Sequence, residues 1–158
     1  MANTYTQLYI HVVFDVRGRA NLVSPSWKDE MYQYISGIIA NNNQKLMIIN
    51  GMPDHLHILL GIRPDCNLSD LVRDIKANSS KWINQNRFII GNFRWQTGFG
   101  AFTVSSSQVK RVINYILTQE EHHKKKTFRD EYIKFLEECE IEFRNEYLLE
   151  DYGVATAG

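Results

Sequence analysis

Four groups of residues have the types and spacing that chemistry needs. His55-Leu56-His57 sets two imidazoles two positions apart. Positions two apart on a strand face the same side, so His55 and His57 could offer neutral nitrogens to one divalent metal while Leu56 and Ile58 turn away. Tyr115 and Gln119 are four apart in a helical pattern, which makes their side chains neighbours. A phenol becomes a nucleophile when its proton is taken or when nearby cations favour the phenolate. The basic run His122-His123-Lys124-Lys125-Lys126, with Arg129, suits phosphate contacts next to such a site. Phe93 to Phe102 interleaves aromatics with Arg94, Gly98 and Gly100, a composition that can stack bases. Each group also has a purely structural reading that the residues leave open. These are two half-exposed histidines on an open sheet face, a tyrosine packed along Lys or Arg stems, a solvated charged face, and a core strand with a glycine bulge.

The elements that must position these groups follow from periodicity. Residues 5–16 are rich in β-branched and aromatic types and predict a strand, with His11 alternating inside it as a structural or supporting histidine. A helix is predicted from Trp27 to Asn42, capped by Ser26 and stopped by Asn41-Asn42-Asn43. Leu46 to Asn50 and His55 to Ile62 read as strands joined through Met52-Pro53-Asp54. A second helix spans Leu68 to Asn86, opened by Asn67 or Ser69. Phe93 to Ser105 reads as a strand, broken at Gly98 and Gly100. The third helix runs from Gln108 to Lys126, with Ser106 or Ser107 as its cap. Its apolar arc is Val109, Val112, Ile113, Ile116 and Leu117, while Gln108, Arg111, Tyr115, Gln119, His122 and Lys126 share the polar stripe. A fourth helix covers Phe128 to Glu140, and the remaining tail is acidic and then rich in small residues. The order β-α-β-β-α-β followed by helices predicts an α+β, ferredoxin-like antiparallel sheet with helices on one face. The chain reads as a single domain over 1–158.

Composition narrows the function classes. The chain has 158 residues, 44% of them hydrophobic and 23% charged, enough for a core without disulfides or a structural metal. Its two cysteines, Cys66 and Cys139, are far apart, which excludes a disulfide scaffold and a cysteine-built zinc ribbon. Dinucleotide, Walker and serine-hydrolase motifs are absent, so no nucleotide cofactor is expected. No apolar run is long enough to span a membrane and the first residues lack a signal core, so the expected location is cytoplasmic. The net charge of zero conceals a balance of +7 over residues 1–129 and −7 over the acidic segment 130–158. A basic body suits a polyanion, and the acidic end could tune that contact.

The His55-Leu56-His57 triplet and the helical Tyr115-Ile116-Leu117-Thr118-Gln119-Glu120-Glu121-His122-His123 together resemble the HUH tyrosine transposases, the small single-strand DNA transposases of bacterial insertion sequences. The likeness runs from the first strand to about Arg129 and includes Trp95 to Ser105. It implies a ferredoxin-like fold, a homodimer, and one Mg²⁺ or Mn²⁺ held by His55, His57 and Gln119. It implies that Tyr115 attacks phosphorus, forming a 5′-phosphotyrosine link and freeing a 3′-hydroxyl. It further implies single-stranded DNA with hairpins near element ends as partner, and a tyrosine helix that can serve the other subunit's metal site. Arg111, His122, Lys124, Lys125, Lys126 and Arg129 are the expected DNA contacts. The readings set against it are a domesticated relative acting on chromosomal repeats, a single-stranded nucleic-acid binding module without catalysis, and a metal hydrolase of small phosphodiesters.

Overall fold

The computed structural model describes residues 3–119 and 127–138. Strand β1 (Leu8–Asp15) sends Ile10, Val12 and Phe14 to one face and Tyr9, His11, Val13 and Asp15 to the other, as period-2 geometry requires. Strand β2 (Lys45–Met52) turns through Pro53 and Asp54 into β3 (His55–Ile62), which alternates in the same way. With β4 (Gly100–Val104) these form a four-stranded antiparallel sheet in the order β2-β3-β1-β4. That is the expected ferredoxin-like order, and it puts the His55–His57 strand in the centre of the sheet.

One face carries the main core. Helices α1 (Lys28–Asn41) and α2 (Leu68–Gln85) lay Met31, Ile35, Ile39, Leu71, Val72, Ile75 and Ile83 against Val12, Phe14, Leu56, Ile58 and Leu60. Asn67 caps α2 as expected, its side chain accepting the Asp70 N–H at 3.1 Å. Ser26 does not cap α1. The helix begins at Lys28 without a side-chain cap, and the Ser26 N–H is taken by the Ser24 hydroxyl.

The opposite face is covered by α3 (Val109–Leu117) and α4 (Phe128–Glu138). Helix α3 lies on β2 and β3, and Asn50 of β2 donates to the Ile116 carbonyl at 2.9 Å. From α4, Tyr132 and Leu136 bury with Val13 and Phe102. Gly100 makes room for that packing, since a Cβ there would stand 2.8 Å from the Tyr132 hydroxyl. Gly51 does the same for β3, because a Cβ at its position would run into the His55 carbonyl oxygen.

Two elements depart from the sequence prediction. The fourth strand starts at Gly100 rather than Phe93, because residues 93–99 follow an irregular path with Gly98 at φ +87°. Within that path Trp95 bridges to Val16, and Phe93 and Trp95 sink into the main core. Regular α3 is interrupted after Leu117, with Thr118 at φ −101°, ψ 29° and its hydroxyl turned back onto the Asn114 carbonyl, and its predicted continuation to Lys126 falls on residues outside those described. Of the expected apolar arc, Ile116 is fully buried whereas Leu117 stays exposed. Residues 120–126 and the tail beyond 138 lie outside the described residues. Among the described residues, no helix is long and apolar enough to cross a membrane.

Candidate active site

The second sheet face is buried yet polar. His11, Asp15, His55 and His57 of the sheet are buried beneath α3 and α4, together with Gln119 after α3 and Glu131 of α4. Buried polar groups are tolerated when they satisfy one another, and the three histidines, Gln119 and Glu131 meet in an ordered way. The β2–β3 turn sets the Asp54 carboxylate 2.6 Å from His55 Nδ1, which leaves Nε2 to face Gln119 Oε1 at 3.1 Å. His57 Nδ1 meets His11 Nε2 at 2.8 Å, which leaves its Nε2 3.0 Å from Glu131 Oε1. Each imidazole is thus held through one nitrogen while the other turns inward, as histidine ligands usually are. Donor atoms of His55, His57 and Glu131 lie within 4.8 Å of one another. Imidazole nitrogens beside amide and carboxylate oxygens are a donor set that fits a divalent metal ion.

Tyr115 stands beside this group. Its ring centroid is 5.9 Å from that of His57, 6.4 Å from His11 and 5.7 Å from Phe135. Burial, then the Glu131 carboxylate that its hydroxyl hydrogen-bonds, hold the phenol well above its usual range, while a hydrogen bond with Gln119 pulls the other way. The protein surroundings alone therefore keep Tyr115 protonated, against the expectation that nearby cations would favour the phenolate. A divalent ion among the donors would reverse that balance. Burial and the neighbouring His57 push His11 down to about 3, so His11 is a neutral partner for His57.

The structure thus gathers His55, His57, Gln119 and Tyr115 at one place within a single chain. Of the expected DNA-contact residues, Arg111 and Arg129 are described. Arg111 is exposed near the start of α3, one turn before Tyr115, and Arg129 is half-buried at the start of α4. His122, Lys124, Lys125 and Lys126 lie outside the described residues. The aromatics Phe93 and Trp95 belong to the core, so they are not a base-stacking platform. Two site residues escaped the sequence reading. Asp54 is one, although it directly precedes the histidine triplet. Glu131 is the other, and its signal was a carboxylate lying on the same helical stripe as Tyr132, Phe135 and Leu136.

With this fold and this grouping in hand, comparison with known proteins is informative. The family model described as Transposase IS200 like matches residues 4–119, and the chain belongs to that family of tyrosine DNA transposases. The ISDra2 transposase TnpA of Deinococcus radiodurans is 25% identical over 118 residues, covering 72% of this chain and 84% of that protein. Among solved structures, a transposase candidate from Deinococcus radiodurans R1 is similar with a TM-score of 0.58 and 22% identity, over 75% of this chain and 95% of that one. A REP-associated tyrosine transposase bound to a REP hairpin is similar with a TM-score of 0.56 and 15% identity, over 73% and 68% of the two chains. At those identities the two structures speak for the fold alone.

Proposed function

We propose that this protein cleaves and rejoins single-stranded DNA at insertion-sequence ends through a phosphotyrosine intermediate. The observation that carries this reading is that Gln119 Oε1 lies 3.1 Å from His55 Nε2 while Tyr115, four residues earlier and on α3, stands against His57. A metal bound by His55, His57 and Gln119 would polarise the scissile phosphate and ease departure of the leaving oxygen. Tyr115 gives up its proton to water and its oxygen attacks phosphorus, while the departing 3′-oxygen takes a proton from water. The bond to the 3′-oxygen breaks, and the DNA is left with a free 3′-hydroxyl and a 5′-phosphotyrosine. Attack by a 3′-hydroxyl on that link reverses the step, so rejoining needs no nucleotide cofactor. Asp54 and His11 orient the two imidazoles. Arg111 and Arg129, with His122, Lys124, Lys125 and Lys126, are proposed to follow the DNA backbone, and a hairpin near the element end to be the recognised feature.

All four groups come from one chain, so on this reading the nucleophile works on its own subunit's metal site. A homodimer is still proposed, and the uncharged edge strand β4, Gly100–Val104, offers a strand-pairing surface for it. Assembly would then serve DNA binding rather than completion of the site.

The test is a covalent-adduct assay with labelled single-stranded DNA from the ends flanking the protein's own gene. With Mg²⁺ or Mn²⁺, a protein-linked band should appear on a denaturing gel and be lost with Tyr115→Phe, with His57→Ala and with a chelator. Loss of Tyr115 should cost on the order of 10⁴-fold or more in adduct formation, as removal of a nucleophile does. Cleavage that survives Tyr115→Phe without an adduct would instead show a metal hydrolase. Binding alone would point to a module without catalysis.

A further inference from the structure

We propose that α4 is a built-in cover over the site, and that Glu131 occupies the place a DNA phosphate must take. This rests on the tyrosine-nucleophile reading above. A phosphate under attack has to touch the phenol oxygen and also present an oxygen to the histidine side of the site. The group that now meets both conditions belongs to the chain itself. Glu131 Oε1 lies 3.0 Å from His57 Nε2, and the same carboxylate accepts a hydrogen bond from Tyr115.

Burial makes the same point independently. His55, His57 and Gln119 are 1%, 0% and 0% exposed, so a DNA strand has no route to them while α4 stays in place. If Glu131 were instead a permanent fourth protein donor, the buried site would be closed like a structural metal site, with no open position for substrate. The seat of α4 is shaped for it. Phe135 packs 5.2 Å from Phe102 and 5.4 Å from His11, and Gly100 leaves the space that Tyr132 fills. Helix α4 carries Asp130, Glu131, Glu137 and Glu138 against Arg129 and Lys134, so its net charge is negative and its acidic side competes with an incoming DNA backbone, while Arg129 at its first turn stays available to that backbone once the helix moves. The family match ends at residue 119, before this helix begins.

The experiment uses the full chain and the same flanking single-stranded oligonucleotide, without metal, so that chemistry makes no contribution. Affinity is read by fluorescence anisotropy and the protection of α4 amides by hydrogen–deuterium exchange. DNA should deprotect α4 in the unaltered protein. Glu131→Gln, which removes the competing charge, and Leu136→Ala, which loosens the seat, should each tighten DNA binding about tenfold as the open fraction rises. Unchanged α4 protection at saturating DNA would overturn the proposal. So would equal or weaker DNA binding by both variants, with weaker Mn²⁺ binding by Glu131→Gln marking that residue as a ligand. Displacement of α4 by DNA, with no phosphotyrosine adduct once Mn²⁺ is added, would uphold the cover and refute the tyrosine chemistry.

Discussion

The two faces of the sheet are built from the same strands and do opposite work. Beneath α1 and α2, Val12, Phe14, Leu56, Ile58 and Leu60 are buried among aliphatic and aromatic side chains. Beneath α3 and α4, the next residues along the same strands are His11, Asp15, His55 and His57, equally buried, with the three histidines bound to polar partners. One face stabilises by removing apolar surface from water. The other draws its order from hydrogen bonds whose net contribution to stability is small but whose geometry is exacting. A one-residue slip in register would exchange the two roles, so the apolar face fixes the aim of the polar one.

Variants can break that contrast or sharpen it. The largest stability effect is expected on the apolar face. Ile58→Ala should cost about 2–5 kcal/mol in urea denaturation, as deletion of a fully buried aliphatic side chain does. Its folded fraction should still bind Mn²⁺ with unaltered affinity. Next comes the polar face, where Asp54→Ala frees His55 Nδ1. Mn²⁺ affinity, followed by the electron paramagnetic resonance signal of the free ion, should fall about 10- to 100-fold with little change in the denaturation midpoint. A large stability loss with intact affinity would mean that both faces serve the core. The smallest effect is expected from Arg111→Ala at the exposed rim. It should lower the slope of log affinity against log salt by about 0.7 and weaken binding by a similar factor for any single-stranded sequence.

Much of this division is legible in the residues themselves. Alternation in β1 and β3 separates the faces, the triplet at His55 marks the polar one, and the four-residue spacing of Tyr115 and Gln119 marks two side chains that meet the same site. Other parts are not legible, because they depend on packing between distant segments. The aromatics at Phe93 and Trp95 read as a strand or a stacking surface, yet an irregular backbone lets both reach the core. The break in α3 at Thr118, where the backbone leaves helical angles, is a local feature that periodicity does not register. Glu131 looks like one more solvated acid in an acidic segment until α4 docks and turns it onto His57.

The two-residue turn at Pro53-Asp54 has a consequence for how the site could evolve. Its carbonyl receives the Val16 N–H at 2.8 Å and its carboxylate steadies the adjoining imidazole, so the aim of His55 is set within a few residues of the chain. The chelating half is therefore local and short in contour, whereas the phenol arrives from 58 positions beyond His57. Segments inserted or lost between Ile62 and Gly100 would alter how the nucleophile is delivered and leave the chelate aimed as before. The histidine hairpin is in this sense a portable unit, to which different nucleophile-bearing helices, from the same subunit or another, could be fitted.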